Sequence, residues 1–207
     1  MEPRAPTLWK KQDTHKGDQK RLFTAIRDAV EGSTVLYPGS YVDIAASMAF
    51  PSVTYVDMDS RAAGFFADTR GVRDIIRSEG GSPSVEVTFV HGDYTTDLEI
   101  EDQSFDVLVS LYAGFVSEAC TDYLRVGGVL LVAPSHGDAA MASIDPRYEL
   151  SGVVTSRSGS YRVRTDGLDT YLIPKTMARI TPALLHERGR GIPYTRSPFA
   201  YLFTRTN

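Results

Sequence analysis

The stretch Val35-Leu36-Tyr37-Pro38-Gly39-Ser40 decides the fold, because an apolar run passes directly into a glycine and a small polar residue. Three later segments repeat this arrangement of an apolar run that ends in small, acidic or polar residues. They are residues 53–59, 90–94 and 105–110. In an open parallel sheet, ligands bind where the strands end, at the point where the strand order reverses. The series therefore predicts a parallel sheet with a ligand site along one edge.

The intervals between these segments have helical patterns, beginning at Asp18, where apolar residues recur on one face up to Val30. Alternating strands and helices predict an α/β fold with a three-layer, mostly parallel central sheet. The β-rich sequence after residue 135, ending in the apolar run 199–204, adds an antiparallel edge. We expect one domain over residues 1–207, with residues 1–17 as an N-terminal arm.

Two local patterns predict connections between these elements. Ser40 is placed to cap a short helix over residues 41–50, with Asp43 as the capping-box partner three residues later. Asp166-Gly167 is a hairpin signal, which predicts a turn between strands at residues 161–164 and 170–173.

Composition narrows the classes of function. The 207-residue chain has a net charge of −4, so it lacks the basic excess of a general nucleic-acid binder. Its single cysteine, Cys120, excludes an internal disulfide framework and a multi-cysteine metal site, and it suits a reducing interior. No apolar run approaches the ~20 residues of a membrane helix, and the polar start has no signal core. These features predict a cytoplasmic protein without nucleic-acid or membrane partners and without a resident metal.

The strand-end motifs resemble those of the class I S-adenosylmethionine-dependent methyltransferases, which have a Rossmann-like fold. The resemblance covers roughly residues 20–135. The motifs that carry it are Tyr37-Pro38-Gly39-Ser40-Tyr41, Asp57-Met58, His91-Gly92-Asp93-Tyr94, Ser104-Phe105-Asp106-Val107-Leu108 and the run from Leu124 to Val132. The resemblance implies S-adenosylmethionine as the cofactor and a small molecule as the methyl acceptor.

The resemblance also implies a set of cofactor contacts. The turn after the first strand lies beside the methionine part of the cofactor, the acid after the second strand holds the ribose, and an apolar residue and a further acid lie near adenine. The matching residues are Tyr37, Gly39, Ser40, Asp57, Met58, Gly92, Asp93, Tyr94 and Ser110.

Elementary chemistry supports part of this set without the family. Glycine lets a ligand approach the backbone where a Cβ would collide, and a strand-end carboxylate can accept two hydrogen bonds from a ribose diol. Asp57 lies 18 positions after Gly39, near the ~20 expected of a nucleoside fingerprint. Structural roles remain open beside these: Asp43 as a helix cap, Met58 as core filling and Asp93 as a solvated turn acid.

The chain departs from the family pattern in the first turn. The family has an acid at the position of Tyr37, and it has two further glycines at the positions of Tyr41 and Asp43. The altered turn keeps a second hypothesis open, in which a methyltransferase-like fold binds a nucleoside or scaffolds a partner without methyl transfer. A nicotinamide oxidoreductase is disfavoured, since Gly39 lacks the glycines that follow in that fingerprint.

Two residues are candidates for catalysis. Tyr112 follows the fourth strand and His136 follows the fifth, where a side chain can reach a substrate at the sheet edge. Either could act as a general base if it lies within hydrogen-bonding reach of a substrate proton. Methyl transfer needs no protein nucleophile, which agrees with a sequence that has no recognisable triad or metal motif. We therefore expect methyl transfer to a small-molecule acceptor.

Overall fold

A computed structural model describes residues 4–176 and 179–207 of the chain. The helices are α1 Arg4–Gln12, α2 Asp18–Arg27, α3 Ser60–Ala67, α4 Thr69–Ser78, α5 Val116–Cys120, α6 Asp138–Ile144 and α7 Pro182–Arg188. The strands are β1 Thr34–Pro38, β2 Ser52–Asp57, β3 Glu86–His91, β4 Phe105–Ser110, β5 Leu124–Val132, β6 Tyr148–Arg157, β7 Ser160–Arg164 and β8 Ala200–Arg205. Short 3-10 helices occur at Ala45–Met48, Thr121–Tyr123 and Leu168–Thr170.

The strands form one sheet in the order β3-β2-β1-β4-β5-β8-β6-β7. Strands β1 to β5 pair in parallel, whereas β8 is antiparallel to both β5 and β6, and β7 is antiparallel to β6. The predicted fold, a mostly parallel sheet with an antiparallel edge, is confirmed. Strand order reverses between β1 and β4, so the expected ligand crevice lies at the ends of these two strands.

Side-chain alternation along the strands separates two cores. Val35 and Tyr37 of β1 pack with α1 to α4 on one face, while Leu36 packs with α5, α6 and α7 on the other. Successive strand residues point to opposite faces, so a strand buried on both sides is apolar throughout. The result is the three-layer arrangement that the sequence predicts.

Side-chain caps fix where several helices begin. The Asp59 carboxylate accepts a hydrogen bond from the Arg61 N–H at the start of α3, and the Asp68 carboxylate accepts one from the Gly71 N–H at the start of α4. Each cap satisfies a backbone donor that the helix itself leaves free. Within the described residues, no helix combines the length and the apolarity that crossing a membrane would require.

The helix α1 lies within the predicted N-terminal arm. Ala5 and Trp9 are buried, and α1 contacts α3 and α4. Residues 1–3 lie outside the described residues. The division of the chain into one domain with an arm stays a prediction.

Two local predictions are wrong. The hairpin turns at Ser158-Gly159 rather than at Asp166-Gly167, because both residues of the first pair adopt the positive φ (52° and 73°) that suits the twist of a two-residue hairpin. The predicted helix over residues 41–50 is reduced to the 3-10 helix at residues 45–48. Ser40 does not cap it; instead, the Asp43 carboxylate accepts a hydrogen bond from the Ala45 N–H.

Candidate functional site

The turn after β1 and the segment after β4 meet at the switch point of the sheet. Gly39 has a φ of 64°, and a Cβ added to it would lie 2.5 Å from the Ala113 Cβ. Its N–H donates to the Val56 carbonyl oxygen at 2.8 Å, which ties the turn to β2. Glycine is therefore required here by the close approach of two turns, besides any approach of a ligand.

The Asp57 carboxylate holds this turn from the neighbouring strand. Its Oδ2 accepts a hydrogen bond from the Tyr41 N–H at 2.7 Å, and its Oδ1 accepts one from the Asp59 N–H at 2.8 Å. A carboxylate offers about four lone-pair sites, so each oxygen can still accept one more hydrogen bond. Asp57 is partly exposed at the strand end, where the sequence places a ribose-binding acid.

Tyr37 and Asp43 form a buried pair beneath the turn. The Tyr37 hydroxyl donates to Asp43 Oδ2 at 3.1 Å, while Asp43 Oδ1 accepts from the Ala45 N–H at 3.0 Å. Burial raises the pKa of Asp43 to about 6. Burial, followed by the charge of Asp43, raises the pKa of Tyr37 well above its ordinary value. The pair thus places a carboxylate under the turn and a protonated phenol beside it.

Ser40 carries an unsatisfied hydroxyl in the same turn. The residue is only 3% exposed, and its Oγ has no hydrogen-bond partner among the described residues. Leaving a buried polar group unpaired costs about 1–3 kcal/mol. Three other buried side-chain atoms share this condition, namely Gln19 Oε1 and the hydroxyls of Tyr194 and Tyr201. Gln19 also lies at the switch-point edge, through its contact with Tyr112.

Tyr112, the first predicted catalytic residue, follows β4 and is 52% exposed. The Gln19 amide of α2 donates to its hydroxyl at 2.7 Å. Burial of the hydroxyl, together with the charges of Asp43 and Asp18, raises the pKa of Tyr112. The phenol is therefore protonated at neutral pH and suits hydrogen-bond donation to a substrate better than proton abstraction.

The residues predicted near adenine lie at the ends of β2 and β3. Met58 is 69% exposed directly after Asp57. Asp93 closes its own turn, since its Oδ1 accepts from the N–H and the hydroxyl of Thr95, which lowers its pKa. The Gly92 N–H donates to the Asp57 carbonyl oxygen, and the Tyr94 hydroxyl accepts from the Gly114 N–H at 3.0 Å. Met58 is the member of this group that presents an open apolar surface.

Ser110, another predicted cofactor contact, forms its side-chain hydrogen bond on the face of the sheet that is opposite to Tyr37. Its hydroxyl donates to the buried carboxylate of Asp138, which also accepts hydrogen bonds from the hydroxyl and the N–H of Ser117. Burial raises the pKa of Asp138 to about 6. This network joins the end of β4 to α5 and α6 and uses the Ser110 hydroxyl for structure.

His136, the second predicted catalytic residue, lies in the exposed turn after β5. Its Nδ1 is 2.8 Å from the Ser135 hydroxyl. The structure therefore brings Tyr37, Gly39, Ser40 and Tyr112 to the switch point, and it places His136 one strand away, in the turn after β5. The catalytic and cofactor roles of all these residues stay predictions.

Sequence reasoning missed Gln19 and treated Asp43 only as a cap. No local signal could have identified Gln19, because it is 93 positions away from Tyr112. Asp43 did carry a signal: it stands at a position where the family has a glycine. Asp138 was also missed, although it follows Gly137 directly after the fifth strand.

Several open grooves lie elsewhere on the described surface, and two of them lie beside strands of the sheet. One, of about 350 Å³, lies between α3, α4 and β3 and is lined by residues such as Phe66, Val72 and Phe89. The other, of about 730 Å³, lies over the β6–β7 hairpin. Neither is lined by a residue predicted from the sequence or by a buried polar atom without a partner. The switch-point edge therefore remains the candidate site. Within the described residues, no group of three or more His, Cys, Asp or Glu side chains is arranged to hold a metal ion.

No protein-family model matches the chain, and no curated protein matches it. Among solved structures, a protein from Corynebacterium glutamicum is similar at 12% identity and a TM-score of 0.50, over 91% of this chain and 80% of that one. A methyltransferase from Thiobacillus denitrificans, dependent on S-adenosylmethionine and solved with S-adenosyl-L-homocysteine, is similar at 19% identity and a TM-score of 0.42, over 56% of this chain and 48% of that one. An arsenic(III) S-adenosylmethionine methyltransferase from Chlamydomonas reinhardtii is similar at 23% identity and a TM-score of 0.42, over 52% of this chain and 40% of that one.

The chain thus spans most of the first of these proteins and less than half of the other two. Similarity at such identities concerns the fold alone. At that level, the Rossmann-like fold expected from the sequence resemblance is confirmed.

Proposed function

We propose that this chain transfers a methyl group from S-adenosylmethionine to a small-molecule acceptor, as a single cytoplasmic domain over residues 1–207 without nucleic-acid or membrane partners. One observation carries the proposal. The buried Ser40 hydroxyl has no partner in the turn after β1, at the switch point where an α/β sheet binds its ligand. The strand-end carboxylate of Asp57 and the exposed Met58 lie beside that turn.

The residues fit the cofactor at three points. Each Asp57 oxygen keeps one lone pair for a ribose hydroxyl, Met58 offers apolar surface to adenine, and Ser40 offers an unpaired hydroxyl to the methionine part. When bound, S-adenosylmethionine supplies an electrophilic methyl group on a sulfonium. The protein's own contribution is alignment and exclusion of water, which can supply several kcal/mol of the barrier reduction. Tyr112 would donate a hydrogen bond that orients the acceptor.

The second hypothesis is a methyltransferase-like protein that binds a nucleoside, or scaffolds a partner, without methyl transfer. The engagement of both Asp57 oxygens by backbone N–H groups favours it, because the carboxylate already has a structural role. The two hypotheses differ in which ligands bind and whether a methyl group leaves the cofactor.

Calorimetry of the full chain with S-adenosylmethionine, S-adenosylhomocysteine and NAD tests the proposal. We expect heat from the first two ligands only. Asp57→Ala should weaken that binding by about 1–3 kcal/mol, since the ribose loses its acceptor. Asp59→Ala is the matched control, because Asp59 caps α3 from the same strand end and its loss should affect stability but not affinity. No heat from either sulfur ligand would overturn methyl transfer, and equal affinity in the Asp57 variant would remove Asp57 from the site.

A further inference from the structure

The three departures from the family pattern, at Tyr37, Tyr41 and Asp43, are linked to one another by the turn that contains them. The Tyr37 hydroxyl donates to the Asp43 carboxylate across six positions. The family has an acid at position 37 and a glycine at position 43. In this chain the acid is at position 43 instead, and it is hydrogen-bonded to the tyrosine at position 37. A buried carboxylate requires such partners, because an unpaired charge in the core is strongly unfavourable.

The backbone of the turn adopts, at Tyr41, a conformation that glycine favours. Tyr41 has a φ of 50°, in the left-handed region that non-glycine residues seldom adopt. Its N–H is held by Asp57, and the Arg61 guanidinium lies 5.4 Å from its ring centroid. Strained residues of this kind persist only where surrounding contacts fix them, and they concentrate at functional sites.

Asp43 completes the turn from its other end. Its N–H donates to the Ser40 carbonyl oxygen at 2.9 Å, while its side chain holds Tyr37 and Ala45. Ser40 and Tyr41 therefore lie between two anchors, Asp57 on β2 and the Tyr37–Asp43 pair. The Tyr37 hydroxyl is bonded to Asp43, and the Asp43 carboxylate to Tyr37 and Ala45, so the pair acts on the turn through these contacts.

We propose that the Tyr37–Asp43 hydrogen bond is the positioning element of the ligand site, which holds Ser40 and Tyr41 in the ligand-binding course in place of the missing glycines. This inference rests on the proposed function. It assigns a role in binding to two residues that act through the turn, and it links the altered positions 37 and 43 to the left-handed backbone at Tyr41.

A double-mutant cycle tests the proposal, with S-adenosylhomocysteine as the calorimetric probe. Tyr37→Phe and Asp43→Asn should each lower the affinity at least tenfold. The double variant should lose no more than the worse single variant, because the two changes break the same contact. Tyr148→Phe is the matched control: Tyr148 is also buried, in the layer on the other face of the sheet, and its hydroxyl is bonded to that of Thr121, so its affinity should stay within twofold.

A second pair of changes guards against simple loss of folding. Tyr37→Glu with Asp43→Gly restores the family residues at both positions, and we expect it to bind within threefold of the natural chain and to show the same circular dichroism. Single-variant affinities within twofold of the natural chain, or losses that multiply in the double variant, would overturn the inference alone. If the natural chain binds neither sulfur ligand, the proposed function fails and the inference fails with it. Failure of the inference alone differs from this outcome, because the natural chain then still binds.

Discussion

Two buried carboxylates lie near the carboxyl edge of the sheet, one in each of the two helical layers. Asp43 belongs to the layer with α1 to α4, and Asp138 to the layer with α5 to α7. Both are 1% exposed, and burial raises the pKa of each to about 6. Exposure and titration do not distinguish them, so the difference must lie in their partners.

Asp138 is saturated with hydrogen bonds, whereas Asp43 is not. Ser110 and Ser117 supply Asp138 with two hydroxyls and a backbone N–H, which leaves no neighbouring donor idle. Asp43 has one phenol and one backbone N–H, and the turn above it contains the unpartnered Ser40 hydroxyl. A buried polar group without a partner calls for an explanation, and at Ser40 the proposed ligand supplies one. The comparison therefore favours a structural role for Asp138, and it agrees with the proposed ligand site beside Asp43.

The largest expected effect is that of Asp138→Ala. The change leaves three donors unpaired in the core and should lower the free energy of unfolding by about 3–5 kcal/mol, measured by urea denaturation. Its affinity for S-adenosylhomocysteine should stay within threefold, in contrast to the tenfold loss expected for Asp43→Asn. A tenfold loss of affinity in folded Asp138→Ala would break the comparison.

The pH dependence of stability should reveal both carboxylates. Each has a folded pKa near 6, above the 3.8 of an unperturbed aspartate, so the folded chain retains the proton that the unfolded chain releases. Each group therefore destabilises the fold as pH rises from about 4 to about 6, by on the order of 2–3 kcal/mol, with no further change above that window. Urea midpoints at pH 4, 5, 6 and 7 should show this slope reduced in Asp43→Asn and in Asp138→Asn. A slope that is unchanged in either variant would contradict its raised pKa.

The smallest expected effect compares two serines. Ser110→Ala removes a hydrogen bond to Asp138 and should destabilise the fold by about 1–2 kcal/mol. Ser40→Ala removes a hydroxyl that has no partner, so stability should be unchanged or rise by up to about 1 kcal/mol, while affinity for S-adenosylmethionine falls. Thermal unfolding with and without the ligand measures both. Equal destabilisation by the two changes would show that the Ser40 hydroxyl does have a partner in the free protein.

Most of the fold was predictable because strand and helix periods are local. The apolar runs that end at Pro38, Asp57 and Ser110 became β1, β2 and β4. The failures were also local. Asp166-Gly167 carried a stronger turn signal than Ser158-Gly159, yet pairing of β6 with β8 and β7 selected the second.

The candidate site was predictable only in part. The strand order brings Gly39, Ser40 and Tyr112 together from sequence segments that each end a parallel strand. The sequence could not show that Ser110 is taken by Asp138, or that Gln19 reaches Tyr112, because those contacts join residues 28 and 93 positions apart. Hydrogen-bond partners at such separations depend on how the layers pack.

By itself, the sequence determined the layers, the parallel sheet and the edge where a ligand should bind, since these follow from periodicity and from the chemistry of strand ends. Only the tertiary structure decided which polar groups at that edge remain free. The methyltransferases that the sequence resembles have an acid where this chain has Tyr37, and only the structure shows that Tyr37 donates to Asp43. The reason is physical: a buried charge requires a partner, and folding alone determines which residue lies close enough to provide it.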